Sequence, residues 1–244
     1  MSAPRRVVAW TWGVVNHLAF LLAVSSMAWA LSRGMDFGLG RASGAWRWVA
    51  NLTLALQFPV AHSLLLGRRG SRALSALAPR GFGRTLAPTT FTALASLQLL
   101  ATFWLWSPAP GATWSAPGAF AAAAWAAHAC AWLFLVRALH DAGLGLQTGW
   151  IGWRALLADR SPAWPPMPER GLFACCRQPI YLGFFLVLWT GPTWSLDRLA
   201  LAGVWGVYSL LAPRLKELRH ARLHGARFED YRRRVPYMVP RMFA

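Results

Sequence analysis

Long apolar runs separated by short polar stretches dominate this sequence. A membrane-spanning helix needs about 20 predominantly apolar residues, and four runs are long enough: residues 7–31, 46–66, 86–106 and 119–139. The first run holds no charged residue and is too long for the apolar core of a signal peptide, so we interpret it as a retained first helix. Each of the four runs therefore predicts one membrane span.

Two shorter apolar runs follow towards the C-terminus, at residues 179–194 and 199–211. The connection Ser195-Leu196-Asp197-Arg198 joins them and leaves two interpretations, a membrane hairpin of two helices or a re-entrant pair. The polar connection and the similarity of the two runs favour the hairpin. The pattern thus predicts an all-α fold, a polytopic membrane helical bundle of about six spans with a C-terminal helical hairpin.

The longest polar interruption covers residues 140–178. It includes "DRSPAWPPMPERG", whose four prolines exclude a continuous helix, so we expect a shaped loop or lid there. The tail over residues 214–234 mixes apolar positions with many cations and predicts a cytoplasmic amphipathic helix. We expect a single domain over residues 1–244, with a four-span part (1–139) followed by the loop, hairpin and tail (140–244).

Charge narrows the class of partner. The formal net charge of +17 usually raises nucleic acid as a partner. The arginines, however, concentrate in alternate loops and in the tail, with Arg80 and Arg241 among them, whereas few lie on the opposite side: Arg33, Arg41, Arg47 and Arg198. The positive-inside rule predicts this alternation for six spans with both termini in the cytoplasm. We therefore expect an integral protein of a bacterial inner membrane that contacts membrane lipids and binds no nucleic acid.

The tryptophans and cysteines add less to the prediction of fold and function. The chain has 16 tryptophans, many of them near the proposed span ends, where amphipathic rings favour the membrane interface. The cysteines Cys130, Cys175 and Cys176 form neither a metal-binding spacing nor a disulfide framework. We expect reduced thiols and no metal site.

Polar residues cluster at the start of the predicted hairpin. Pro179 suits the first turn of a helix, where its missing N–H costs nothing. The residues that meet at this end are Arg177, Gln178, Tyr181 and Gly183 from the first helix and Arg214 and Glu217 from the second. One interpretation is a binding site. The other is that Arg177 and Glu217 form an ion pair that only fixes the hairpin.

The order of three segments favours the binding site. "CRQPIYLGFFLVLWTGPT", "LKELRHARLHG" and "FEDYRRRVPYMVPR" resemble the C-terminal signature of integral membrane methyltransferases. That superfamily contains isoprenylcysteine carboxyl methyltransferase and bacterial phospholipid methyltransferases. Within these segments, "YLGFFLVLWTGPT" and the closing "VPYMVPR" look closest to the methanethiol S-methyltransferase subgroup. Upstream, "LQFPVAHSLLLGR", "LLATFWLWSPAPGATW" and "HDAGLGLQ" also resemble that subgroup. The resemblance covers residues 56–241.

The resemblance implies a function and a set of site residues. It implies S-adenosylmethionine as cofactor and methyl transfer to a small or lipophilic thiol. The implied cofactor-binding residues are Arg177, Gln178, Tyr181, Gly183, Glu217 and Tyr231. Arg177 and Arg214 would stabilise the anionic nucleophile and Glu217 would orient an arginine or the cofactor, while His62 and Ser63 would belong to the substrate site.

Three positions depart from the superfamily pattern. Gln178 stands where that pattern has histidine, and an amide can donate and accept hydrogen bonds but cannot become a cation. Lys216 replaces the first glutamate of a pair, which leaves Glu217. Phe228 takes the first tyrosine position of a Tyr-x-x-Tyr pair, and Tyr231 keeps the second.

Other functions stay open at this point. Within the same class of enzyme, the acceptor could be an isoprenylated cysteine carboxylate or a phospholipid amine. A haem-binding or non-catalytic membrane protein is the second class, with histidine ligands drawn from His17, His62, His128 and His140. A degenerate methyltransferase kept as a scaffold is the third. The sequence leaves the oligomeric state unknown.

Overall fold

The computed structural model describes residues 3–79 and 81–240, and it is predominantly helical. Two positions of the predicted basic set, Arg80 and Arg241, lie outside the described residues. In chain order the elements are α1 (Ala3–Ser32), α2 (Gly44–Leu65), α3 (Arg68–Leu77), α4 (Gly83–Trp104), β1 (Trp114–Ser115), α5 (Gly118–Asp141), α6 (Leu144–Gln147), α7 (Trp150–Leu157), α8 (Leu172–Cys175), α9 (Pro179–Trp189), β2 (Thr193–Trp194), α10 (Leu196–His224) and α11 (Ala226–Arg234).

The predicted membrane spans are confirmed in part. Among the described residues, α1, α4 and α5 are long and apolar enough to cross a membrane, which confirms helices for the first, third and fourth apolar runs. A fourth crossing results if α2 and α3, which are bent by 97° relative to each other, count as one broken span. Helix α9 is apolar but has 11 residues, about 17 Å against a hydrocarbon core of about 30 Å. The count of six spans stays a prediction.

The chain forms two compact units. The first consists of residues 1–110 and 144–165, and the second of residues 111–143 and 166–244. The boundaries differ from those of the two parts expected from the sequence, because α5 joins the C-terminal elements whereas α6 and α7 join the N-terminal helices. The single domain stays a prediction.

Small and hydroxylated side chains hold the first unit together. Helix α1 packs along α4, and two tryptophans fix the pair: Trp12 Nε1 donates to Thr90 Oγ1 at 3.0 Å, and Trp104 Nε1 donates to Ser26 Oγ at 2.9 Å. Alanines on α1 are buried, including Ala9 and Ala23. Small residues let helix backbones approach closely, and hydroxyl bonds join helices where apolar burial adds little.

Within the same unit, Thr89 positions α7. Its hydroxyl donates to the carbonyl of Gly149 at 2.7 Å and accepts from the backbone N–H of Trp153 at 3.0 Å. Asn16 Nδ2 donates to the carbonyl of Thr148 at 2.8 Å. The backbone groups of residues 148, 149 and 153, at the connection between α6 and α7, are therefore hydrogen-bonded to side chains of α1 and α4.

Close helix approach at glycines organises the second unit. A Cβ on Gly183 of α9 would lie 3.0 Å from the Cα of Leu135 on α5, and one on Gly206 of α10 would lie 2.9 Å from the Nε1 of Trp189. These distances are shorter than ordinary van der Waals contact. Helix α9 is therefore packed between α5 and α10 in this unit.

The connection between α9 and α10 buries an arginine that the sequence placed in a polar loop. Arg198 is fully buried. Its guanidinium donates to the carbonyls of Thr193 at 2.8 Å and Leu188 at 3.3 Å, and it lies 4.4 Å from the centre of the Trp194 ring. Ser195 caps α10 by accepting from the N–H of Arg198. Carbonyls at the end of α9 and an aromatic face thus replace water around this cation.

The basic tail begins inside α10. The sequence predicted a separate amphipathic helix over residues 214–234, but α10 runs without a break through Pro213 to His224. The chain then turns at Gly225, whose φ of +52° suits a residue without a Cβ, and continues as α11. Residues 159–171 form an irregular loop, as its prolines predict.

Candidate functional site

One cavity of the second unit gathers most of the predicted polar residues. It is a partly open cleft whose empty space, including the part open to solvent, is about 240 Å³. Its polar wall is formed by Arg177, Gln178, Lys216, Glu217 and His220. Its apolar wall is formed by Met167, Pro168, Phe173, Phe228 and Tyr231. The cavity therefore combines charges of both signs with aromatic and aliphatic surface.

Local chain geometry brings the polar side chains together. Gln178 has a non-helical backbone and precedes Pro179 at the first position of α9, so residues 177 and 178 project from the end of that helix. The N–H of Arg177 donates to the carbonyl of Pro236 at 2.9 Å, which brings the closing tail to the same place. His220 lies four residues after Lys216 and three after Glu217, so it neighbours both of them on α10.

Arg177 joins α10 to the tail. Its Nε donates to Glu217 Oε1 at 2.8 Å and its Nη2 to Oε2 at 3.3 Å, with the two side chains 10% and 15% exposed. Its Nη1 donates to the carbonyls of Val235 at 2.5 Å and Arg232 at 3.1 Å. Two-point contact of a guanidinium with a carboxylate is among the strongest polar contacts in proteins. The ion pair that the sequence suggested is therefore present, and it lines the cavity.

Gln178 extends this network to Lys216. The amide Nε2 donates to Glu217 Oε1 at 2.8 Å, and the amide Oε1 accepts from Lys216 Nζ at 3.3 Å. The side chain is 2% exposed. The two neighbours fix the orientation of the amide, since a carboxylate only accepts and an ammonium only donates. Residues 178 and 216, two of the three positions that depart from the superfamily pattern, are thus hydrogen-bonded to each other.

Lys216 lies in apolar surroundings. Its Nζ is 5.4 Å from the centre of the Phe173 ring and 6.0 Å from that of Tyr181. The residue follows the apolar stretch 199–211 of α10. Burial lowers the pKa of the amine to about 8, and the neighbouring Glu217 opposes that shift only in part. A lysine in this setting can exist as a neutral amine at mildly alkaline pH.

Aromatic residues of α11 close the apolar wall. Phe228 and Tyr231 are buried and pack with Met167 and Val235. The Tyr231 hydroxyl donates to the carbonyl of Phe173 at 2.7 Å, and burial raises the pKa of the phenol above its usual range. Phe228 keeps the ring of the tyrosine that the superfamily pattern has there, without the hydroxyl. The tail helix therefore contributes shape and one fixed hydrogen bond.

His220 is the fifth member of the polar wall. Its ring lies 5.8 Å from that of Phe228 and 5.4 Å from that of His224. Burial, followed by the positive charge of Lys216, lowers the pKa of His220 to about 4. The imidazole is therefore neutral at physiological pH.

The structure gathers four of the predicted cofactor residues at the cavity: Arg177, Gln178, Glu217 and Tyr231. The other predicted site residues have different surroundings. The Tyr181 ring packs 6.5 Å from that of Tyr208 and near Lys216, Gly183 faces Leu135, and Arg214 is exposed. Their roles stay predictions, and the close backbone contact explains the glycine at 183 without a ligand.

His62 and Ser63, the predicted substrate residues, belong to the first unit. The His62 ring lies 4.8 Å from that of Phe91 and 5.1 Å from that of Phe58. It is therefore packed among aromatic side chains of α2 and α4. A role in substrate binding stays a prediction.

The positions of Lys216, His220 and Phe173 at the cavity were not predicted from the sequence. Lys216 was noted only as the replacement of a glutamate, and His220 was not considered. The spacing of Lys216 and His220 could have indicated their proximity, because residues four apart lie on the same face of a helix. Phe173 had no comparable signal, since it lies in the four-residue helix α8.

Two histidines proposed as haem ligands have nitrogen atoms engaged within the protein. His128 Nε2 accepts from Trp132 Nε1 at 3.0 Å, and His17 Nδ1 lies 2.6 Å from the carbonyl of Gly13. Across residues 3–79 and 81–240, no three side chains of His, Cys, Asp and Glu gather as a metal site.

The fold and the site together define a class of protein. It is a helical protein with helices long enough to span a membrane, and its cavity carries charges of both signs beside an apolar helix. Comparison with curated proteins gives the family. Methanethiol S-methyltransferase 2 of Bradyrhizobium diazoefficiens is 30% identical over 200 residues, which is 80% of this chain and 74% of that protein. The methanethiol S-methyltransferase of Mycobacterium tuberculosis is 27% identical over 252 residues, 97% of both chains. That of Crocosphaera subtropica is 26% identical over 194 residues, 75% of this chain and 71% of that protein.

The chain belongs to the methanethiol S-methyltransferase family. The family resemblance inferred from the three C-terminal segments is thereby confirmed. No family model matches the chain, and no solved structure matches it. As a member of this family the protein is a methyltransferase.

Proposed function

We propose that this protein is an integral membrane enzyme that transfers a methyl group from S-adenosylmethionine to a small or lipophilic thiol, as in methanethiol S-methylation. Family membership supports the reaction class. The observation that carries the site is the hydrogen-bonded set of Arg177, Glu217, Gln178 and Lys216 on one wall of a cavity. The other lining residues are apolar or aromatic, a surface that suits a nucleoside base.

The donor set fits S-adenosylmethionine. The guanidinium of Arg177 is suited to the carboxylate of its amino-acid part, and the carboxylate of Glu217 to its ammonium group or ribose hydroxyls. The rings of Phe173, Phe228 and Tyr231 provide an apolar surface for adenine. The space that water can occupy in the cavity is about 10 Å³, room for about one water molecule, against roughly 300–1,000 Å³ for ligand pockets. Binding therefore requires the lining side chains to rearrange. The Arg177–Glu217 pair is among the side chains that would move.

The bound cofactor would supply an electrophilic methyl group. The protein's own residues would hold the reactants in line and exclude water, which favours a step in which opposite charges neutralise each other. A thiol must lose its proton first, because the thiolate is the nucleophile. Arg177 and Glu217 are proposed as the residues that hold the cofactor.

We further propose six membrane spans in a bacterial inner membrane with both termini in the cytoplasm. The distribution of arginines in the sequence supports this orientation. The three helices of spanning length support membrane insertion. The arginines of the tail would then lie at the cytoplasmic surface, near anionic lipid headgroups.

A methyl-transfer assay tests the function. Membranes containing the full chain would receive S-adenosylmethionine with a radiolabelled methyl group and one of three acceptors: methanethiol, an isoprenylated cysteine or a phospholipid amine. We expect a labelled volatile sulfide with methanethiol, and its loss in Glu217→Gln. A labelled methyl ester or methylated lipid instead would reassign the acceptor. No transfer to any acceptor by correctly inserted protein would contradict the proposal.

A further inference from the structure

We propose that Lys216 is the general base of the reaction, and that its amine removes the proton of a neutral thiol acceptor at the cavity. The inference rests on the proposed function of the cavity. It concerns a residue that departs from the pattern of the wider superfamily and that sequence reasoning left without a role.

Position is the first argument. Lys216 lines the cavity, and its side chain is held by Gln178, a neutral partner, at 3.3 Å. Arg177, by contrast, is engaged by the carboxylate of Glu217 at 2.8 Å and by two carbonyls of the tail. An amine has several bonding positions and uses one of them on Gln178, so it can also reach an acceptor in the cavity.

Residue type is the second argument. The chain contains 25 lysine and arginine residues, and Lys216 is its only lysine. Arginine cannot give up its proton in a protein, whereas a buried lysine can act as a base. The one lysine of the chain therefore lies at the cavity, and the neutral imidazole of His220 beside it, with a pKa of about 4, is a much weaker base.

The surroundings of the amine favour its neutral form. The charged and titratable groups near it come from every packed element: Glu217, Arg219 and His220 on α10, Cys176 and Arg177 before α9, Tyr181 on α9 and Tyr231 on α11. Burial has the largest effect and lowers the pKa to about 8, with Glu217 raising it and Arg219 lowering it. A base with a pKa near the working pH is the most effective kind.

The proposed step balances as follows. The neutral amine of Lys216 takes the proton of the thiol, which leaves an ammonium and a thiolate. The thiolate sulfur then forms a bond to the methyl carbon as the bond from that carbon to the sulfonium sulfur breaks. The products are a neutral methyl sulfide, S-adenosylhomocysteine and protonated Lys216, which returns its proton to water.

Acceptors of different acidity test the step. Lys216→Gln and Lys216→Arg would be compared with the native protein on ethanethiol and on trifluoroethanethiol, which is similar in size but much more acidic and therefore depends far less on a base. We expect kcat with ethanethiol to fall by about 10²-fold or more in both variants, the usual contribution of a general base. With trifluoroethanethiol we expect only a few-fold loss. Equal losses on both thiols, or full rescue of ethanethiol turnover by arginine, would overturn the proposal.

A measurement independent of turnover uses the single lysine. Protein carrying [ε-¹³C]lysine gives one side-chain signal, and its chemical shift against pH reports the pKa of Lys216 directly. We expect a midpoint near 8, and a midpoint near the ordinary value of 10.5 would overturn the proposal. Arg222→Gln, which removes one exposed positive charge from the same helix, is the matched control and should leave the midpoint unchanged.

Calorimetric binding of S-adenosylhomocysteine separates this inference from the proposed function. Failure of the native protein to bind it would reject the cofactor site itself. Binding by the native protein and by both Lys216 variants, together with the selective loss on ethanethiol, would support the base. Loss of binding in Lys216→Arg would show that Lys216 contributes to cofactor binding, and it would overturn the role of Lys216 as the base.

Discussion

Helices α9 and α10 bury an arginine at each end of their pair, and the two arginines differ in what surrounds them. At the connecting end, Arg198 is fully buried over Trp194 and donates to backbone carbonyls. At the opposite end, Arg177 pairs with Glu217 on the wall of a cavity. Burial of a charge is therefore not sufficient to identify a binding site. A neighbouring cavity and a partner that a ligand can replace distinguish the second arginine from the first.

The largest expected effect concerns the cavity end. Glu217→Ala leaves the guanidinium of Arg177 without its carboxylate, and breaking a buried pair in this way costs about 3–5 kcal/mol. We expect methyl transfer to be lost and the free energy of unfolding to fall. Glu217→Gln is the control, because it preserves shape and an acceptor oxygen for Arg177. It should recover much of the stability and little activity, and recovery of both would contradict a charge-dependent role.

The connecting end should respond differently. Arg198→Met keeps side-chain length but leaves the carbonyls of Thr193 and Leu188 without their donor, which costs about 1–3 kcal/mol for each unsatisfied group. We expect lower stability in a chemical denaturation experiment. The affinity of the folded protein for S-adenosylhomocysteine should stay within a few-fold of the native value. A selective loss of affinity without destabilisation would show that this end also contributes to the site.

Gly183 sharpens the comparison within α9. Gly183→Ala adds a Cβ that would lie 3.0 Å from the Cα of Leu135, and overpacking of this kind costs about 1–3 kcal/mol. Gly203→Ala on α10 is the matched control, since its Cβ meets nothing within 4 Å. We expect only Gly183→Ala to destabilise the protein, with cofactor affinity retained. Reduced affinity at unchanged stability would instead support the cofactor role predicted from the sequence.

At neutral pH the smallest expected effect is that of His220, whose contribution to stability appears only as the pH is lowered. Burial lowers the pKa of His220 from 6.5 to about 4. The unfolded chain therefore binds more protons between these values, and stability falls as the pH falls from about 6.5 to about 4. His220→Gln should weaken this dependence in thermal unfolding scans. An unchanged dependence would show that other groups cause the acid destabilisation.

The sequence predicted the composition of the cavity better than its internal contacts. Pro179 at a helix start located Arg177 and Gln178, and the segment order located Glu217 and Tyr231. The bond between Gln178 and Lys216 was not predicted, although the pair of Arg177 and Glu217 was, because opposite charges indicate an ion pair whereas an amide can bond to many kinds of partner. A pattern of residue types shows what can interact, and the fold decides which groups do.

The continuity of α10 and the burial of Arg198 were predicted less well. The apolar run 199–211 and the basic tail 214–234 were expected as separate helices, yet α10 joins them and continues through Pro213. A proline can persist inside a helix when the surrounding structure accepts the lost backbone hydrogen bond. Arg198 was assigned to a polar loop because of its charge. Its burial depends on carbonyls freed at the end of α9, which hydropathy alone does not reveal.

Calorimetric titration of S-adenosylhomocysteine into purified native protein, Glu217→Gln and Arg198→Met tests the account most directly. We predict saturable binding by the native protein, similar affinity for Arg198→Met, and at least a tenfold weaker affinity for Glu217→Gln, which corresponds to about 1.4 kcal/mol or more. Absence of binding by the folded native protein, or equal weakening in the two variants, would contradict the assignment of the cavity as the methyl-donor site.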